Sequence, residues 1–199
     1  MDPINLQYCI ICDRYSEKGA THKVCMTRFT PDKFLSVFAY NSTAKKIILR
    51  SKFGSKSFKL LDILIRSNAN METLKQLPEI DVVVPIPMVD KIFNRRLINH
   101  SEYISNKVGD ILKKPSVEIL GKRCFSKSQK RLKKDLRFQN IKGWIFLKNQ
   151  QTEIKGKRVL LVDDVATTGA TLLEASRVLK MNGAEKVYCY TLAKDLRYN

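Results

Sequence analysis

No stretch of this sequence reaches the roughly 18 consecutive apolar residues that a helix needs to cross a bilayer. The first residues, Met1, Asp2 and Pro3, lack the basic region and apolar run of a secretory signal. Both absences point to the cytoplasm. No G-x-x-x-x-G-K-[ST] segment occurs, so the chain carries no P-loop. No internal repeat or low-complexity tract is visible. Acidic residues are scarce, 19 against 37 lysines and arginines, for a net charge of +18. Histidine occurs only as His22 and His100. The five cysteines are odd in number, and three crowd the N-terminus. In a reducing compartment that favours metal over disulfides.

What is present suits one α/β domain with a small appendage. The 199 residues are 44% hydrophobic, enough for a core and too much for global disorder. We place a cysteine-rich segment at 1–30 and the main domain at 31–199. Strands are expected at Val37–Tyr40, Asp81–Pro85, Val117–Leu120, Arg158–Val162 and Lys186–Thr191. Helices are expected at Ser42–Ser51, Phe58–Arg66, Ile98–Lys113 and Thr171–Asn182, the last closed by Gly183. Residues 122–140 are too charged for a core and read as a mobile loop. Alternating strands and helices imply a mostly parallel sheet flanked by helices, with ligands at the C-terminal strand ends.

The most informative stretch runs from Val159 to Thr171: Val-Leu-Leu-Val-Asp-Asp-Val-Ala-Thr-Thr-Gly-Ala-Thr. Four branched apolar residues read as a strand buried on both faces. Gly169 allows the backbone close to a ligand. The helix that follows offers free N–H groups to an anion. Asp163 and Asp164 cannot hold a phosphate, because like charges repel. They can accept hydrogen bonds from vicinal hydroxyls, or hold a divalent cation through water. Acids for a diol beside an anion cradle describe a site for a ribose 5-phosphate. The competing reading is a plain strand-to-helix turn with a capping box from Thr171 to Glu174. It explains neither the paired acids nor the two further threonines.

Cys9-x-x-Cys12 is half of a structural zinc site, and His22-x-x-Cys25 offers the other half. Together they would close a Cys₃His tetrahedron. The alternative is three small buried cysteines and a solvent histidine. His100 is taken as an ordinary polar residue of its helix.

Charge is uneven. Residues 122–137 hold Lys122, Arg123, Lys127, Lys130, Arg131, Lys133, Lys134 and Arg137 against the single acid Asp135. Residues 45–59 add Lys45, Lys46, Arg50, Lys52, Lys56 and Lys59 with no acid. Clusters of this kind suit a polyanion.

Residues 159–171 resemble the phosphoribosyl-pyrophosphate (PRPP) signature of type I phosphoribosyltransferases at all thirteen positions. The order of features resembles the competence protein ComF group within that fold. It comprises the cysteine-rich start, the segment Tyr40 to Phe53 and the Val84-Pro85-Ile86-Pro87 turn. Arg95-Arg96 before a helix, a loop with Gln129, Leu132, Leu136, Arg137 and Asn140, and the signature complete it. The family usually has a fourth cysteine where this chain has Arg28.

The resemblance implies that Asp163 and Asp164 bind the ribose 2- and 3-hydroxyls. Ala166, Thr167, Thr168, Gly169, Ala170 and Thr171 would wrap the 5-phosphate, flanked by Val162 and Val165. Pro85, Ile86 and Pro87 would form a pyrophosphate loop. Arg95, Arg96, Lys130 and Arg131 would neutralise pyrophosphate, with Mg²⁺ bound alongside PRPP. The implied protein acts in natural transformation on single-stranded DNA, peripheral to the inner membrane beside the DNA-uptake machinery. Two activities stay open: transfer of ribose 5-phosphate, or a non-catalytic module that senses PRPP or binds single strands. A nucleobase salvage enzyme would explain neither the cysteine-rich leader nor the basicity.

Overall fold

The computed structural model describes residues 2–51, 58–88, 99–123, 142–148 and 154–196. Its centre is a four-stranded sheet of β1 (Lys33–Ala39), β2 (Val82–Pro85), β5 (Arg158–Ala166) and β6 (Lys186–Lys194). The order is β1-β6-β5-β2, and every pairing is parallel. A separate antiparallel pair joins β3 (Leu120–Lys122) to β4 (Ile145–Leu147).

Period-2 alternation along β5 divides the core in two. Val159 and Leu161 pack on one face, Leu160 and Val162 on the other, and all four are fully buried. Burying each contributes roughly 1.5–3 kcal/mol. The first face is covered by α5 (Ala170–Met181) through Leu172, Ala175, Val178 and Leu179. The second face meets four helices: α1 (Ser42–Ser51), α2 (Phe58–Ile65), α3 (Asn68–Lys75) and α4 (His100–Leu112). Ile48, Leu61, Leu64, Leu74, Ile104 and Val108 fill it. This is the expected α/β architecture, with helices on both faces of a parallel sheet.

Several expected boundaries move. β1 starts at Lys33 rather than Val37, and β6 continues to Lys194 rather than Thr191. The strand expected at Val117–Leu120 lies at Leu120–Lys122, while Ser116 makes a single parallel bridge to Val83. α3 and β4 were not expected. α3 lacks a continuous apolar stripe, and polar contacts pin it instead. The buried Tyr190 hydroxyl donates to Asn70 Oδ1 at 2.6 Å, and Asn70 Nδ2 donates to the Ile65 carbonyl at 2.5 Å. β4 is three residues long and is defined only by its partner strand. The segment read as a loop begins with Lys122 in β3. Residues 124–140 lie outside the described residues.

Two ionic latches tie distant parts together. Arg158 grips Asp81 with Nη2 at 2.8 Å and Nε at 3.1 Å, and its Nη1 meets Glu79 at 2.6 Å. These bonds hold the Asp81 carboxyl well below the usual range. Asp32 accepts from Lys180 Nζ at 2.6 Å, Lys186 Nζ at 3.2 Å and the Val187 amide at 2.9 Å. Among the described residues, no helix is long and apolar enough to cross a membrane.

Candidate functional site

β5 runs past its neighbour. β2 stops pairing at Pro85, opposite Val162, and the Ile86 amide adds one last bond to the Val162 carbonyl at 2.8 Å. β6 keeps pairing, with Asp163 opposite Thr191 and Ala166 opposite Lys194. Asp163 and Asp164 are therefore inside β5, not just after it as the apolar run implied. They stand where the β2 side of the strand has opened.

The N-terminus of α4 fills that opening. Asn99 caps the helix, accepting from the Ser101 amide at 3.1 Å, while its Nδ2 donates to the Ile86 carbonyl at 3.1 Å. This clamps the helix start to the end of β2. The next two residues reach the two acids. Ser101 Oγ donates to Asp163 Oδ1 at 2.7 Å, which also accepts from the Asp164 amide at 2.9 Å. His100 Nδ1 lies 3.6 Å from Asp164 Oδ2. The positive end of the α4 dipole thus faces the acid pair. Burial and the neighbouring Asp164 charge still push the Asp163 carboxyl up to about 7, against the Ser101 bond that lowers it.

Beyond Ala166 the chain turns into α5. Gly169 caps the helix at φ 71°, in the left-handed region where glycine alone is unstrained. The helix starts at Ala170, one residue before the expected Thr171. The capping box is not formed. Glu174 instead accepts from the Gly143 amide at 2.7 Å and pairs with Arg177. A pocket opens here, lined by Asp163 and residues 165–172. Its floor is the first turn of α5, whose amides suit an anion.

Of the sequence-derived PRPP residues, Asp163, Val165, Ala166, Thr167, Thr168, Gly169, Ala170 and Thr171 line this pocket. The Val162 side chain is fully buried in the helix-covered core, so only its backbone serves the site. Asp164 sits beside the pocket, against His100. Pro85, Ile86 and Pro87 are buried. Lys45, Lys46 and Arg50 are exposed on α1. Arg95, Arg96, Lys52, Lys127, Lys130, Arg131, Lys133, Lys134 and Arg137 lie outside the described residues. Sequence reasoning missed Asn99, Ser101 and His100. The Asn99-x-x-Glu102 spacing is a legible helix start, but nothing local says which acids that start would meet. His100, expected as an ordinary polar residue of its helix, is buried at 7% exposure.

The N-terminal cysteines converge. Ligand atoms of Cys9, Cys12, His22 and Cys25 all lie within 4.8 Å of one another. Cys12 Sγ is 3.3 Å from His22 Nδ1, and His22 Nε2 is fixed 2.9 Å from the Tyr15 carbonyl. A ring nitrogen held by a backbone carbonyl is the usual support for a metal-ligating histidine. Burial raises the Cys25 thiol to about 11, with contributions from Cys12 and Cys9. A cation would reverse that repulsion, and three sulfurs with one imidazole form a donor set suited to zinc. Arg28 is exposed and stacks on Phe29 with 5.6 Å to the ring centroid. His22 supplies the fourth donor atom of the cluster.

This knuckle packs onto the pocket. Ile10 is buried in the same cluster as Ala166 and Leu172. Lys194, at the end of β6, pairs with Asp13 and lies 5.5 Å from the Tyr8 ring centroid.

The phosphoribosyl transferase domain family matches residues 79–198. Competence protein F of Haemophilus influenzae is 30% identical over 196 residues, covering 94% of this chain and 84% of that protein. DNA utilization protein YhgH of Escherichia coli K12 is 27% identical, covering 86% of this chain and 77% of its own. A purine phosphoribosyltransferase from Pyrococcus horikoshii superposes at a TM-score of 0.38 with 17% identity, covering 81% of this chain and 77% of that one. That likeness is too weak to support anything further. An acid pair clamped at a parallel strand end, a glycine-capped turn into a helix, the family match over residues 79–198 and the identity to Competence protein F converge on one conclusion. The chain belongs to the phosphoribosyl transferase domain family, in the branch that contains Competence protein F.

Proposed function

We propose that the chain binds PRPP in the pocket at the end of β5, with the ribose hydroxyls on Asp163 and Asp164. Residues 166–171 would receive the 5-phosphate. The observation that supports this best is the clamped acid pair beside a helix-start anion loop. The chemistry expected of Mg²⁺ bound with PRPP is charge neutralisation on the pyrophosphate. The acids orient the ribose, and the α5 start holds the phosphate while the anomeric carbon faces an incoming nucleophile. Cleavage of the bond to pyrophosphate builds oxocarbenium character on the ring. Fixed carboxylates close to that charge stabilise it. The Pro85-Ile86-Pro87 turn and Arg95, Arg96, Lys130 and Arg131 are proposed for the departing pyrophosphate. Residues 1–30 form a zinc knuckle, and 31–199 the phosphoribosyltransferase-like domain.

The relatives' names, Competence protein F and DNA utilization protein, support a role in handling incoming DNA. The net charge of +18 and the exposed Lys45, Lys46 and Arg50 suit a single-stranded polyanion. We place the protein in the cytoplasm, at the inner face of the uptake machinery.

Titration calorimetry with PRPP and Mg²⁺ tests the site. The double variant Asp163→Asn, Asp164→Asn should stay folded and bind PRPP about tenfold or more weakly, from lost charge-assisted bonds. Unchanged affinity would exclude the assignment. Pyrophosphate release with candidate nucleophiles separates transfer from binding alone.

A further inference from the structure

His100 occupies the first position of α4 and is 93% buried, from its exposure of 7%. Its Nε2 lies 2.8 Å from the carbonyl oxygen of Ser51, the last residue of α1. A carbonyl only accepts, so Nε2 carries the hydrogen and donates it. Phe58 closes the ring edge-on, with centroids 5.6 Å apart. Nδ1 has no hydrogen-bond partner among the described residues. It points to Asp164 Oδ2 at 3.6 Å, longer than a hydrogen bond. Nδ1 is shut off from water, while the Asp164 side chain keeps 15% exposure, so a hydrogen placed between the two would bond them. Such contacts are often long without ligand and tighten in the complex. Ser101, the next residue, already makes the equivalent bond to Asp163 at 2.7 Å.

We propose that His100 is a positioning residue of the ribose subsite: it holds Asp164 by Oδ2, so that the opposite oxygen is presented to a ligand hydroxyl, and it anchors that hold in the end of α1 through Ser51. Two successive residues of α4 then govern the two acids in parallel, serine for Asp163 and histidine for Asp164. The proposal deepens the PRPP reading and rests on it.

Two variants divide the two ends of the ring. His100→Gln keeps a donor for the Ser51 carbonyl and removes the group facing Asp164. His100→Asn keeps a donor near the Nδ1 position and gives up Ser51. PRPP affinity should fall about tenfold in His100→Gln, and by a smaller factor of about threefold in His100→Asn, which loses only the Ser51 anchor. Binding of inorganic phosphate at the α5 loop should be equal in all three proteins. Wild-type affinity in His100→Gln overturns the proposal. So does an equal loss in both variants, which would make the ring a packing element only. The unmodified protein supplies an independent readout. In ¹⁵N spectra of the imidazole, adding PRPP should move the Nδ1 resonance far more than Nε2. A stationary Nδ1 signal, with the amides of residues 167–171 shifting, overturns the role of His100 and leaves the PRPP site standing. If neither signal moves, the PRPP reading fails, and this proposal with it.

Discussion

Ile10 lies directly over Gly169: a methyl group built on that glycine would come within 3.0 Å of Ile10 Cγ1. One residue sits between Cys9 and Cys12 of the cysteine–histidine cluster, the other caps α5. The N-terminal cysteine segment and the turn into α5 therefore share a packed contact across most of the chain's length. Gly169→Ala should suffer twice, from φ 71° and from that contact. We expect a loss of about 1–2 kcal/mol in stability from the backbone strain, and weaker PRPP binding. Adding Ile10→Ala should relieve the contact and leave the strain. Urea midpoints of the two variants measure the coupling. Identical losses with and without Ile10→Ala would show that the contact carries no energy.

The knuckle should hold one zinc per chain on Cys9, Cys12, His22 and Cys25. Elemental analysis of protein purified without chelator checks this, and His22→Ala should lower the zinc content. Chelation should also speed amide exchange at residues 166–171, because Ile10 packs there. Metal-free wild-type protein of full stability, with unchanged exchange, would refute both statements.

Asp163 makes stability depend on pH in an unusual direction. Its carboxyl titrates near the ordinary 3.8 in the unfolded chain and at about 7 in the fold, pushed up by burial and by Asp164. Between those values the folded state holds the extra proton. This residue's contribution therefore declines as pH rises from about 4 to about 7, then levels off. Asp163→Asn removes the effect. The variant should gain on wild type by an amount on the order of a few kcal/mol between pH 4.5 and pH 8. Denaturant midpoints of both proteins at the two pH values measure it. A constant difference would place the Asp163 titration outside this range.

Single-stranded DNA should bind through the basic segments without regard to base sequence. The log–log salt dependence should have a slope of about −0.7 per phosphate contacted. Replacing Lys45, Lys46 and Arg50 by alanine should flatten it, as should replacing Lys130, Arg131, Lys133 and Lys134. At ~150 mM salt, exposed charges beyond about 8 Å are screened. Duplex binding as tight as single-strand binding there would reduce the interaction to general polyanion affinity.

The cassette from Val159 to Thr171 was legible because its parts are contiguous: a doubly buried strand, an acid pair and a glycine turn all declare themselves locally. The same holds for Cys9, Cys12, His22 and Cys25, whose spacings alone nominate a tetrahedral set. Where β5 ends was not legible. Apolar character stops at Val162, but backbone pairing with β6 carries the strand on through two carboxylates to Ala166. α3 was missed because its anchor, the Asn70–Tyr190 bond, spans 120 positions. His100 looked ordinary because burial belongs to the fold, not to the residue. Only the packing of α4 against the open side of β5 puts an imidazole and a serine on the two acids. Hydrophobic periodicity records which face of an element is buried. It carries no record of which polar groups meet across 62 positions of chain, as Ser101 and Asp163 do.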